Sequence, residues 1–366
     1  MPGDAAVTGR HHLGMVAPPW FDIPPRAYGG IEAVIADLVG ALVARGHQVT
    51  LVAAGRNDTP ARFLSTYEEP PSARLGQPTP EIVHAAAAAR MLADLDVDIV
   101  HDHSLAGPLT ACGRTVPTVT TMHGPTNGDM ADYYREIGRT VALVAISEAQ
   151  RAQAPDINCV ATVHHGIDVD SFPYQETKED WVLFLGRFNP DKGPDLAIDA
   201  ARAAGRPIVL AGKVNEPAER DYFEQVIRPR LGPDATFVGE ADAALKRELY
   251  AKAACLLFPV RWPEPFGMVM IEAMACGTPV VALRCGSVPE VVVDGSTGFI
   301  CSAPSELPTA IEKATDLRPA ACRAHVARHF DLTAMAEGYE KVYAQLVADR
   351  DLMASAAAPG SSTGWL

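Results

Sequence analysis

With 366 residues, the chain is long enough for about two domains of roughly 150 residues, and its 48% hydrophobic and 21% charged content is that of a soluble globular protein. The formal charge of −14 argues against a nucleic-acid partner, since a coating protein needs a basic face to displace counterions from phosphate. Seven cysteines without CxxC spacing read as reduced thiols in a cytoplasmic setting, and no apolar run approaches the ~20 residues that span a bilayer.

Short β-rich runs, each followed by a longer stretch of helical spacing, predict a parallel α/β fold. The first series is LGMVA (13–17), QVTLVAA (48–54), VDIVH (97–101), TVPTVTTMH (115–123) and ALVAIS (142–147). A polar, strand-poor linker, GIDVDSFPYQETKED (166–180), separates it from a second series. That series is WVLFLG (181–186), RPIVLAG (206–212), ATFVG (235–239), CLLFPV (255–260) and TPVVAL (278–283). The pattern predicts two Rossmann-like, doubly wound domains, 1–170 and 171–332. A helix over 333–350 packs back toward the first domain, and a small, polar tail, 351–366, reads as disordered. Ligands of such sheets bind beyond the carboxyl ends of the strands, which places the chemistry in the crevice between the domains.

Four stretches fall at such strand ends. PPRAYGGIEAVIADLVGAL puts Gly29 and Gly30 at a helix start, where a backbone can approach a phosphate closely; a plain tight turn needs the same glycines. His123 closes TTMHG at a strand end, where it reaches the crevice or is simply a satisfied polar group. His101 and His103 in VHDHSLAG share a strand face but lack a third metal ligand of known spacing. FLGRFNPDKG carries Arg187 and Lys192, two fixed cations suited to a diphosphate, or a solvated loop paired with Asp191 or Asp195. In EPFGMVMIE, Glu264 sits at a strand-to-helix mouth, with a helix expected from near Pro265. The N–H groups of Gly267, Met268 and Val269 are its free first-turn donors. Glu272 lies two turns in, among apolar residues, where an unpaired carboxylate is costly.

Together, YGGIE, AISE, HGIDVDSF, GRFNPDKG, EPFGMVMIE with AMACGTPVVA, and GSVPEVVVDGSTGF resemble family 4 of the retaining, nucleotide-sugar-dependent glycosyltransferases, which have the GT-B fold. The resemblance covers nearly the whole chain. It implies that Glu264 binds hydroxyls of the donor sugar and Glu272 the ribose hydroxyls of the nucleotide. Arg187 and Lys192 would hold the diphosphate, assisted by Phe266, Gly267, Met268, Val269 and the Gly29–Gly30 turn. His123 would contact the donor sugar near the reacting carbon, and His103 would face the acceptor side. No metal or other cofactor is implied, no protein nucleophile is placed, and the acceptor is a carbohydrate, lipid or small molecule. The chain departs from the family pattern at Cys285-Gly286-Ser287, where many relatives carry a glycine pair, and at His165 in the linker. Two other classes compete. A nicotinamide-dependent oxidoreductase would need a GxGxxG that is absent, and a non-catalytic nucleotide-sugar binder would bind without turnover.

Overall fold

Runs of Val, Ile, Leu and Ala too short for helices are buried on both faces here, which is what parallel sheets covered by helices require. The computed structural model describes residues 9–25 and 29–357, so Tyr28 of the YGGIE stretch and residues 358–366 of the expected tail lie outside the described residues. The first sheet contains β1 (His12–Val16), β2 (Gln48–Ala53), β3 (Arg62–Ser65), β4 (Ile99–Asp102), β5 (Thr118–Thr121), β6 (Ala142–Ala145) and β7 (Cys159–Thr162). The second contains β8 (Val182–Leu185), β9 (Ile208–Ala211), β10 (Ala235–Phe237), β11 (Leu256–Phe258), β12 (Val280–Leu283) and β13 (Gly298–Cys301). Both are parallel, in the orders β3-β2-β1-β4-β5-β6-β7 and β10-β9-β8-β11-β12-β13. Each reverses direction beside its first strand, between β1 and β4 and between β8 and β11, the two switch points where ligands bind in doubly wound folds.

β3, β7 and β13 stand outside the predicted strands, and each of the three is the edge of its sheet. An edge strand is covered on fewer sides, and β3 and β7 are accordingly only half-buried. Their residues therefore lack the continuous apolar run that marks a central strand.

The final helix, Leu332–Ala357, leaves the second domain and lies on the first. Its Glu340 accepts from Arg45 Nε and Nη2, both at 2.8 Å, and buried Tyr339 and Tyr343 face the first sheet. Gly338 permits the approach, because a Cβ there would meet Val163 Cγ1 at 2.8 Å. The helix was expected to stop at Arg350 but continues seven residues to Ala357. The alanine-rich DLMASAA stretch has high intrinsic helix propensity, which its small, polar look concealed.

Candidate active site

The C-terminal end of β8 opens into the loop that carries both predicted cations. Asn189 caps a short turn over Pro190–Lys192 by accepting from Lys192 N at 3.0 Å. Gly193 follows with φ +70°, and a Cβ there would stand 2.3 Å from the carbonyl oxygen of Pro259. Only glycine lets this turn press against the end of the neighbouring strand β11. The close approach delivers the Lys192 ammonium to the Glu264 carboxylate as a partly buried ion pair, with Trp262 5.1 Å beneath the cation.

Cys285-Gly286-Ser287, the segment that departs from the family pattern, fastens the backbone around Glu264. Ser287 N donates to Glu264 O at 3.1 Å, Ser287 Oγ donates to Phe266 O at 2.6 Å, and Cys285 Sγ donates to Trp262 O at 3.0 Å. Gly286 has φ +53° and sits so near that a Cβ would lie 2.3 Å from Glu264 O. The helix begins at Met268, with Gly267 as its left-handed N-cap at φ +81°, and not near Pro265. Gly267 is forced by the Phe258 ring, which leaves 2.9 Å for a Cβ, so Met268 and Val269 supply the opening N–H groups.

Glu272 is buried in that helix, yet it is paired: Lys246 Nζ donates to one oxygen at 2.7 Å and Tyr250 OH to the other at 2.8 Å. Burial drives the Tyr250 phenol well above its ordinary pKa, so it acts as a donor. The two carboxylates of EPFGMVMIE thus each have a cation of their own in the protein. Lys246 and Tyr250 carried no sequence signal, since they lie on another helix, Ala243–Lys252.

Arg187 turns the other way. Its Nε donates to Glu219 at 2.5 Å and its Nη2 pairs with Glu216, both beyond the end of β9. Asp195, weighed as a partner for the loop cations, is instead taken by Arg261 at 2.6 Å and Tyr222 at 2.8 Å. Because β8 lies between β9 and β11, carboxylates from both neighbours hold Arg187 and Lys192 apart. Glu219 is buried and also accepts from the N–H groups of Asn215 and Glu216, whereas Glu216 is exposed. Replacing Glu216 with Gln should therefore tighten binding of inorganic pyrophosphate about threefold by isothermal titration, since an exposed competitor for the Arg187 guanidinium is removed. Unchanged or weaker binding would show that Arg187 does not meet the diphosphate.

Across the crevice, Gly29 is the N-cap of the Gly30–Ala44 helix at φ +146°, and a Cβ on Gly30 meets nothing within 4 Å among the described residues. The neighbouring strand ends gather a column of histidines. His101 is saturated, bonding Tyr343 OH at 2.7 Å and Thr121 Oγ1 at 2.8 Å. His103 lies on its ring at 3.9 Å between centroids and bonds His123 through Nδ1···Nε2 at 2.9 Å. His165 stacks on His123 at 5.4 Å and meets the edge of Phe266 at 5.2 Å. Burial lowers the pKa of all four, to about 3 for His101 and His165, so they are neutral at pH 7. His103 Nε2, His123 Nδ1 and His165 Nδ1 are buried without a hydrogen-bond partner, a cost of about 1–3 kcal/mol each in an ordinary core.

Besides the final helix, contacts at the crevice join the halves. Met268 packs against the cores of both domains. Glu290 accepts from the N–H groups of Glu148 and Ala149 at 2.8 and 2.7 Å and bonds His164 Nε2 at 2.9 Å. Burial works to raise the Glu290 pKa, but these partners outweigh it and hold the carboxyl below its usual range. His165 against Phe266 adds another. Among the described residues, no group of three or more His, Cys, Asp or Glu side chains is arranged to hold a metal ion. Nor is any helix long and apolar enough to cross a membrane.

Residues 28–171 match the family model for Glycosyltransferase Family 4, and residues 168–324 match that for Glycosyl transferases group 1. The chain belongs to the family 4 glycosyltransferases. It is 27% identical over 327 residues to a phosphatidyl-myo-inositol mannosyltransferase of Mycobacterium leprae, covering 80% of this chain and 83% of the relative. Among solved structures, this glycosyltransferase matches AviGT4, a glycosyltransferase of avilamycin A biosynthesis, with TM-score 0.72 and 28% identity over 92% of this chain and 98% of that one. Anabaena Alr3699/HepE, solved with UDP-glucose, shares the GT-B fold at TM-score 0.68 and 18% identity over 94% of this chain and all of that one.

Proposed function

We propose that this glycosyltransferase moves a sugar from a nucleoside diphosphate donor to an acceptor hydroxyl, with retention at the anomeric carbon and without a divalent metal. The observation that carries the reading is the Lys192–Glu264 pair. The pair sets a cation and a carboxylate at the mouths of adjacent strands β8 and β11, beside the first turn of the Met268–Ala275 helix, which supports the reading. A bound diphosphate meets Lys192, Arg187 and the opening N–H groups, while Glu264 is freed to accept hydroxyls of the sugar. As the bond between the anomeric carbon and the phosphate oxygen breaks, these fixed positive groups stabilise the charge that develops on the leaving diphosphate. The acceptor oxygen bonds to the same face of that carbon, and its proton passes to the departing phosphate oxygen, so no protein nucleophile is required. Orientation across the crevice is the enzyme's main contribution to this step.

The named relatives differ in sugar, mannosyl in one and glucose in another, so the chemistry of the donor is put to experiment. UDP, GDP and ADP, with their glucose and mannose conjugates, form a thermal-shift panel, because a ligand held only by the folded state raises its melting temperature. The matching pair should stand out by several degrees, and turnover with a broad acceptor set then separates an enzyme from a non-catalytic binder. A flat panel would overturn the reading. Seven free cysteines support a reducing, cytoplasmic setting.

Glu272 provides a second test. Glu272→Gln keeps an acceptor for Lys246 and Tyr250 but loses the charge that grips ribose hydroxyls. It should raise the Kd of the selected nucleoside diphosphate about tenfold, with the melting temperature little changed. Retained affinity would remove Glu272 from the nucleotide site.

A further inference from the structure

The histidine column supports an inference that rests on this reading but goes beyond it. We propose that His103 and His165 are positioning residues for His123: His103 fixes which nitrogen of His123 carries the proton, and His165 fixes the plane of its ring. His101 has both ring nitrogens committed, one to Tyr343 on the final helix and one to Thr121 at the end of β5. That side chain is an immobile floor, and His103 lies on it at 3.9 Å. His103 is 5% exposed, so it has little room to turn.

Two neutral imidazoles joined by a 2.9 Å N···N bond share one proton between the bonded nitrogens. If His103 donates from Nδ1, His123 carries its own proton on Nδ1; if His123 donates from Nε2, its Nδ1 is a bare acceptor. Either way His103 dictates what Nδ1 of His123 offers, and that atom has no partner among the described residues. A sugar hydroxyl, which both donates and accepts, is the ligand chemistry that suits either tautomer.

His165 comes from the segment that links the two sheets, and its ring lies nearly parallel to His123, at 23°, while standing at 71° to Phe266. Phe266 directly precedes the Gly267 cap of the donor-side helix. A shift of the second domain against the first therefore reaches His123 through a single ring. This accounts for a flat ring at 165, where the sequence departs from the family pattern.

The test separates positioning from folding and from donor binding. His103→Leu should lower kcat about tenfold or more while the Kd of the nucleoside diphosphate chosen by the panel stays within about twofold, and His103→Asn, which can still bond Nε2, should restore most of the rate. His165→Phe should retain activity through ring stacking, and His165→Ala should lose kcat to a similar degree as His103→Leu. Unchanged kcat in His103→Leu, no recovery in His103→Asn, or a parallel loss of nucleotide affinity would overturn the proposal. A second readout does not need turnover. Two-bond ¹H–¹⁵N spectra of the ligand-free protein should show His123 as one neutral tautomer in the native chain and as an averaged mixture in His103→Leu. An averaged His123 signal in the native protein would overturn the positioning role, even if no donor were ever transferred. A single tautomer beside a flat donor panel would sink the transferase reading alone.

Discussion

Replacing Lys192 with alanine lowers glycosyl transfer about a hundredfold, about 2.7 kcal/mol at the transition state, the scale of losing one preorganised electrostatic group. The ammonium is held between Glu264 and the face of Trp262, so it is already in place before a donor arrives. Its removal should leave the protein folded, because a partly exposed ion pair contributes little to stability, about 1 kcal/mol or less. The measurement is kcat and KM with the identified donor, set beside a melting curve. A variant that turns over at the native rate would take Lys192 out of the site. One that fails to fold would show the pair to be structural, and Glu264→Gln in the Lys192→Ala background would then separate the unpaired carboxylate from the missing cation.

Acidification should unfold the protein well before its carboxylates are all protonated, with stability falling by about 3 kcal/mol per pH unit between about pH 6 and 4.5. Burial depresses His101 and His165 to about 3, His84 to about 4, and His103 and His123 well below the ordinary value. A depressed histidine is neutral in the fold and charges more easily when unfolded, so each loses stability as pH drops below about 6.5, by about 1.4 kcal/mol per unit. Four carboxyls, Glu81 among them, work in the opposite sense. Burial raises Glu32 to about 7 and Asp37 and Asp102 to about 6, and their contribution recovers on acidification through those values. The depressed histidines, joined by His11 and His325, outnumber the raised carboxyls, which sets the sign. Urea unfolding at pH 7.5 and 5.0 and constant ionic strength reads the difference directly, and equal midpoints would contradict it.

Several residues of the candidate site stand out along the chain. Arg187 and Lys192 were legible because the cations follow a strand with an intervening Asn-Pro and a closing glycine. Glu264 and Glu272 were legible because carboxylates are out of place in an apolar stretch. What these residues touch was not legible. Lys246, Tyr250, Glu216 and Glu219 lie on other helices and loops, and nothing in their own neighbourhoods marks them.

The sequence by itself determined the two parallel sheets, their central strands and the strand ends that carry polar chemistry, because local periodicity and turn residues act over a few positions. Only the tertiary structure decided the edge strands β3, β7 and β13, the length of the final helix, and which charge faces which. Those depend on what lies alongside: the order β9-β8-β11 sends Arg187 and Lys192 to opposite neighbours, and the approach of β4, β5 and the linker stacks His103, His123 and His165. Partners contributed by separate strands are set by packing over distances that no local pattern records.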